Sequence, residues 1–126
     1  MAKVFIIEDN ATIAKIWRVQ LERSGHEVTI TGTGIEALEI VGRINPDIIL
    51  TDLMLPGMHG FEVVEKLKER EDTKGIPIIV LTATSSHQNK EQAHLLGVYK
   101  YIVKSDCSPR QLAETIAAAL AVSKTN

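Results

Sequence analysis

Five short runs of β-branched and aliphatic residues punctuate the chain, and a longer amphipathic stretch follows each of them. The short runs are Val4–Ile7, Val28–Ile30, Asp47–Thr51, Ile76–Leu81 and Tyr99–Val103. Strict alternation of this kind predicts (βα)5. Because βαβ crossovers are right-handed, it also predicts an α/β fold with a doubly wound, five-stranded parallel sheet. The first, third and fourth runs are almost uninterrupted in apolar residues, as expected of strands covered on both faces. The second is apolar only in its middle, which suits an edge. Pro77 stands at the start of the fourth, where a missing N–H donor is tolerable.

The intervening stretches carry helix signals. Ile13, Ile16, Trp17 and Leu21 form an inward stripe in the first, and Ser24-Gly25 ends it. Thr33-Gly34-Ile35-Glu36 is a capping box opening the second, which Asn45-Pro46 closes. Phe61, Val64, Glu65 and Lys68 fall on the third, with Val63 and Leu67 beside them. The fourth is expected from about Ser86 to Leu96, stopping at Gly97. The fifth has the clearest start, with Ser108 as N-cap, Pro109 at the first helical position and Gln111 at the third. Leu112, Ile116, Ala119 and Leu120 supply its inward face.

At 126 residues this is one ordinary domain, expected over 1–122 with a polar tail over 123–126. Fourteen basic and sixteen acidic residues nearly cancel, which argues against binding nucleic acid or a membrane surface. A single cysteine, Cys107, rules out an internal disulfide, and no basic neighbour activates its thiol. The first apolar run is too short for a signal-peptide core or a membrane span, so a cytoplasmic protein is expected. His26, His59, His87 and His94 lack the spacing of a histidine metal site and are expected at the surface.

In open α/β sheets the ligand site lies beyond the carboxyl ends of the strands. Here strand one ends in Glu8-Asp9, strand three in Asp52, strand four in Thr82 and strand five in Lys104. Any one of these is more often a cap or turn residue. Their joint placement at four strand ends is not expected by chance. Three gathered carboxylates repel, each pair by roughly 4 kcal/mol at about 4 Å and an effective dielectric near 20. Lys104 offsets part of that repulsion, and a hard divalent cation would offset the rest. Mg²⁺, which keeps several waters and accompanies phosphate chemistry, fits better than a protein-only Ca²⁺ cage.

The motifs Ile6-Ile7-Glu8-Asp9-Asn10, Ile49-Leu50-Thr51-Asp52-Leu53-Met54-Leu55-Pro56-Gly57-Met58-His59-Gly60, Val80-Leu81-Thr82-Ala83 and Tyr101-Ile102-Val103-Lys104 go further. Together they resemble the receiver domain of bacterial-type two-component response regulators, the chemotaxis-regulator-like fold. The resemblance covers about residues 3 to 121. It implies the flavodoxin-like strand order 2-1-3-4-5 and a Mg²⁺-dependent switch. Asp52 would accept a phosphoryl group from the phosphohistidine of a sensor histidine kinase or a histidine phosphotransfer protein. By the same likeness Asp9 and Asp52 ligate the ion, Glu8 acts through water, and the Met54 carbonyl completes the protein's share. Thr82 and Lys104 would meet phosphoryl oxygens. Tyr101 would be the aromatic switch partner of Thr82, although a partly buried strand aromatic is an equally good account of it. A downstream effector would read the face of helix four, strand five and helix five. Enzymatic character would be confined to weak self-phosphorylation and self-dephosphorylation.

Three departures from the family pattern bear on loop geometry, the mildest being Glu8-Asp9 where the family often has Asp-Asp. The family usually has Lys-Pro with a cis peptide where this chain has Lys104-Ser105, and Met-Asp-Gly where it has Met58-His59-Gly60. Without proline a cis bond costs about 2.5–4 kcal/mol, so Lys104-Ser105 is expected trans, with Lys104 still reaching the site through a re-routed loop. Leu53, Met54 and Leu55 are expected to limit water at Asp52, and Trp17 to be core. The alternative function is a pseudo-receiver interaction module that never takes phosphate. A Mg²⁺-dependent phosphatase fits less well, since Asp9 is followed by Asn10-Ala11 rather than by the Asp-x-Asp of those enzymes.

Overall fold

The computed structural model describes residues 2–124. Five strands and five helices alternate as the sequence predicts: β1 (Lys3–Ile7), α1 (Ala11–Arg23), β2 (Glu27–Thr31), α2 (Gly34–Ile44), β3 (Ile48–Thr51), α3 (Gly60–Glu69), β4 (Ile78–Thr82), α4 (His87–Leu95), β5 (Lys100–Val103) and α5 (Pro109–Lys124). All pairings are parallel, in the order β2-β1-β3-β4-β5. Observed strands differ from the expected runs by one or two residues at their ends. Pro77 sits just before β4, where its carbonyl accepts from Ile49 N–H at 3.0 Å.

The uninterrupted apolar strands are split by the pleat. Val4 and Ile6 of β1 point into a core with Trp17 and Leu21 of α1 and Leu112 and Ile116 of α5. Phe5 and Ile7 point the other way, into a core with Ala37 and Val41 of α2 and Val63, Val64 and Leu67 of α3. A smaller cluster of Leu53, Phe61, Val80 and Ala93 lies where α3 and α4 meet the sheet. Each large aliphatic side chain buried this way contributes about 1.5–3 kcal/mol.

Helix ends follow local chemistry. Ser108 and Gln111 exchange the two bonds of a capping box, Ser108 N–H to Oε1 at 2.8 Å and Gln111 N–H to Oγ at 3.1 Å. Thr33 caps α2 by accepting from Glu36 N–H at 3.1 Å, but the Glu36 carboxylate takes the Thr31 hydroxyl instead of closing the box. Asn45 ends α2 in the left-handed region at φ 50°.

One expectation needs correction. Ile16 was placed on the inward stripe of α1 but is 50% exposed; Ala14, Trp17 and Leu21 are the buried residues of that helix. The backbone of α5 is helical through Lys124. Thr125 and Asn126 lie outside the described residues.

Candidate functional site

The carboxyl ends of β1, β3 and β5 bring Glu8, Asp9, Asp52 and Lys104 together. Asp52 follows β3 directly, and its N–H donates to the Ile7 carbonyl at 3.1 Å, which extends the sheet by one bond past the strand. Its side chain is 7% exposed and both oxygens are engaged. Oδ1 accepts from the N–H groups of Leu53 (2.6 Å) and Met54 (3.3 Å), and Oδ2 accepts from Lys104 Nζ at 2.8 Å.

Glu8 is anchored the same way, its N–H donating to Thr31 O at 2.9 Å. Its Oε2 accepts from Asn10 N–H at 3.1 Å and its Oε1 from Lys104 Nζ at 2.6 Å. Asn10 is the N-cap of α1 and accepts from Ile13 N–H at 3.0 Å, so the acidic pair is fastened to the first turn of that helix. Asp9 is exposed. One carboxylate oxygen from each of Glu8, Asp9 and Asp52 lies within 4.8 Å of the others. That oxygen-only, three-carboxylate set fits a hard divalent cation.

Burial raises the carboxyl of Glu8 above its ordinary range, against the pull of the Lys104 and Asn10 hydrogen bonds. Burial acts to lower the Lys104 ammonium, but the bonds to Asp52 and Glu8 outweigh it, so the group is raised overall and stays charged. Lys104 opens a single 3-10 turn, Lys104–Asp106, closed by Cys107 N–H donating to its carbonyl at 3.3 Å. The peptide bond to Ser105 is trans, and the lysine reaches both carboxylates nonetheless. Behind the ammonium lies the indole of Trp17, its centroid 5.6 Å from Nζ. Trp17 is therefore core, as expected, and also part of the site's wall. The sequence held no local signal for that contact, which joins α1 to the turn after β5.

Thr82 is the last residue of β4 and 0% exposed. Its hydroxyl is buried without a hydrogen-bond partner among the described residues. It does not cap α4; Ser86 does, accepting from Asn89 N–H at 3.3 Å. Tyr101 of β5 is half-buried, and its hydroxyl donates to the Thr84 carbonyl at 2.7 Å, tying β5 to the loop after Thr82.

The loop after Asp52 departs from expectation. Leu53 is buried against Phe61 and Val80, and Leu55 packs on the α2–α3 core. Only Met54 stands out, 64% exposed, so these residues form no apolar cover over Asp52. The chain bends at Leu53, where Leu55 N–H donates to the Leu53 carbonyl at 3.1 Å, so these side chains do not share one direction. Gly60 N–H donates to the Leu53 carbonyl at 2.8 Å. A Cβ at Gly60 would collide with the Asp52 carbonyl oxygen and lie 2.6 Å from Leu53 Cα. His59, in place of aspartate, caps α3 with a ring nitrogen: Nδ1 accepts from Phe61 N–H at 3.1 Å. Cys107 is half-buried, and burial pushes its thiol up, away from thiolate reactivity.

Of the four histidines, His59, His87 and His94 are exposed as expected. His26 is half-buried and accepts from Ala2 N–H at 3.3 Å. Surface hollows elsewhere, such as one of about 380 Å³ along α1 beside Ile16, Val19 and Pro109, touch none of the carboxylates. Among the described residues no helix is long and apolar enough to cross a membrane.

The family model for the response regulator receiver domain matches residues 4–117. The chain belongs to the response regulator receiver family. It is 39% identical to the polar-differentiation response regulator DivK of Brucella ovis over 113 residues, covering 90% of this chain and 91% of that one. A CheY-like receiver domain protein of Methanospirillum hungatei superposes with a TM-score of 0.92 at 29% identity, covering 99% and 98% of the two chains. The receiver domain of a sensor histidine kinase of Pseudomonas aeruginosa, solved with a magnesium ion in its active-site cleft, gives 0.86 at 25% identity over 95% and 98%. Receiver domains are signalling switches of two-component systems and work with histidine kinases and downstream effectors. The acidic notch at the ends of β1 and β3 is this receiver domain's candidate ion and phosphoryl site.

Proposed function

We propose that this receiver domain is a phosphorylation-driven switch in which Asp52 takes a phosphoryl group from the phosphohistidine of a sensor histidine kinase or a histidine phosphotransfer protein. One observation supports this above the rest. A single ammonium, Lys104 Nζ, bridges Glu8 at 2.6 Å and Asp52 at 2.8 Å, beside a third carboxylate within 4.8 Å of both. Such a cluster reaches charge balance by taking up a proton or a further cation, and a lysine poised on the acceptor carboxylate is placed to follow the incoming phosphoryl oxygens.

A bound Mg²⁺ would offset charge on the transferring group. Asp9, Asp52 and the Met54 carbonyl would hold it, with Glu8 acting through water. The magnesium of the Pseudomonas receiver domain supports this choice of ion. The chain's own part is positioning. The N–H groups of Leu53 and Met54 orient the Asp52 carboxylate. One of its oxygens attacks phosphorus as the N–P bond to the donor imidazole breaks, and the imidazole keeps the electron pair. Lys104 pairs with a phosphoryl oxygen, and the unpartnered Thr82 hydroxyl donates to another. Water later releases phosphate, as weak self-dephosphorylation.

The readout would be a shift of the α4–β5–α5 face, with Thr82 drawn toward the phosphoryl group and Tyr101 following. A change from 1:99 to 99:1 needs about 5.5 kcal/mol. One charge-assisted bond supplies roughly 1.5–3 kcal/mol, so Lys104 and the ion must contribute beside Thr82. The setting is the cytoplasm, with no direct role for nucleic acid or membrane.

Intact-protein mass after incubation with acetyl phosphate and Mg²⁺ tests the reading. The wild-type chain should gain one phosphoryl group and Asp52→Ala none. Labelling of Asp52→Ala to the wild-type extent would overturn it. Calorimetry should show Mg²⁺ affinity falling in both Asp9→Ala and Asp52→Ala; unchanged affinity in either would refute the assigned ligands.

A further inference from the structure

Lysine is the least pre-aimed of the charged residues, a point charge on a flexible four-carbon stem. In this chain the 3-10 turn after Lys104 fixes its backbone and leaves the four-carbon stem to be aimed by other groups. Ser105 and Asp106 are exposed, and the Lys104-Ser105 peptide is an ordinary trans bond where the family usually has a cis proline. Yet the lysine side chain is only 18% exposed and meets two carboxylates at once. Beside the two carboxylates, a third group meets the ammonium: Trp17, its ring centroid 5.6 Å from Nζ.

We infer that Trp17 is a positioning residue for Lys104, its indole face holding the ammonium at the phosphoryl site in place of the backbone constraint that the missing proline would supply. The inference rests on the phosphoacceptor reading of Asp52 and deepens it. Trp17 is suited to the task because it does not move: it is 9% exposed and packed with Val4, Ile6, Leu21 and Ile116, the same core that carries the strand leading into Glu8. An aromatic face attracts a cation through its quadrupole, and more strongly where water is excluded. It is also neutral. When a phosphoryl group arrives, Lys104 must exchange a carboxylate oxygen for a phosphoryl oxygen. A carboxylate wall would compete for the charge, and an aliphatic wall would not hold it. The indole does neither.

The test compares Trp17→Tyr, which keeps a ring, with Trp17→Leu, which does not; Trp17→Met replaces the latter should it fail to fold. Initial phosphoryl uptake from acetyl phosphate should be about tenfold slower in Trp17→Leu and within about twofold of wild type in Trp17→Tyr. A readout that core packing alone would not move is the ring-current shift of the Lys104 ε-methylene protons. These should be displaced upfield in wild type and Trp17→Tyr, and ordinary in Trp17→Leu. Uptake in Trp17→Leu at the wild-type rate, or equally slow uptake in both variants, overturns the inference. If wild type takes no phosphoryl group, the phosphoacceptor reading fails. The wild-type proton shift then still decides the contact, and an ordinary shift there overturns that too.

Discussion

The two strand ends nearest the proposed phosphoacceptor, Asp52, are built to opposite standards. On the β3–α3 side everything is held. Asp52 has both oxygens bonded, Leu53 is buried, and Gly60 lets the first turn of α3 rest on the Asp52–Leu53 backbone. Behind it α3 buries Phe61, Val63, Val64 and Leu67. On the β4–α4 side little is held. The Thr82 hydroxyl has no partner among the described residues, and α4 buries Ala93 alone while its Leu95 is 83% exposed. Its leading loop is fastened to β5 by the Tyr101–Thr84 bond and to α4 by bonds from Asn89 to Thr84 and Ser86. A nucleophile must be kept in place, whereas an element that reports its modification must move at small cost. Low local burial is the physical form of that low cost.

This contrast can be broken most forcefully in the two helices. Leu67→Ala should destabilise the protein by about 3 kcal/mol in urea unfolding, since it leaves a cavity in a closed core. Leu95→Ala, the same change on α4, should stay within about 0.5 kcal/mol. Equal losses would mean that α4 is docked as firmly as α3.

Gly60→Ala should follow, at about 2 kcal/mol, because the added methyl meets backbone rather than a side chain that can yield. It should also slow phosphoryl uptake by displacing Asp52, whereas Leu67→Ala should leave uptake nearly intact in the folded fraction.

Thr82→Val sharpens the other half. Replacing a buried, unpartnered hydroxyl by a methyl group removes its desolvation penalty, so the unphosphorylated protein should gain about 1 kcal/mol. The same variant should lose phosphoryl-dependent amide shifts in α4 on adding beryllofluoride. Destabilisation instead would show that the hydroxyl has a partner in solution.

Tyr101→Phe should cost at most about 1 kcal/mol globally, while hydrogen exchange speeds up selectively over residues 84–95. Uniform exchange would argue that the tyrosine is an ordinary strand aromatic.

The smallest effect is electrostatic and belongs to the groups that meet Asp52 from β1 and β5. Burial raises Glu8, so the folded protein binds that proton more tightly than the unfolded chain does. Stability should therefore fall as pH rises from the ordinary glutamate range to the raised value. Lys104 is raised as well, so its contribution is complete below the ordinary lysine range and is lost as pH climbs past it. With a chelator present, Glu8→Gln should flatten the first slope. An identical pH profile in wild type and variant would remove the case for a costly buried Glu8.

How far the sequence could be read depends on whether a feature is local. The alternating runs, the Ser108–Gln111 box and the Asn45-Pro46 stop were all legible, because each depends on neighbours within one turn. Glu8, Asp9, Asp52, Thr82 and Lys104 were legible as strand-end residues once parallel order was granted. Ile16 was misplaced because helical spacing marks a stripe without saying which edge of it the neighbouring helix covers. Leu53 and Leu55 were misplaced because side-chain type says nothing about facing.

By itself the sequence determined the order of elements, their caps and the chemical inventory of the site, since propensity, capping and hydrophobic period are local properties. Tertiary structure alone decided that one ammonium bridges Glu8 and Asp52 with Trp17 behind it, that the Thr82 hydroxyl is left without a partner among the described residues, and that α3 buries far more than α4. Those facts join residues that meet only when separate strands and helices are stacked. Distance along the chain carries no information about such meetings, because loop closure over long separations changes the free energy only slowly with length, and packing makes the choice.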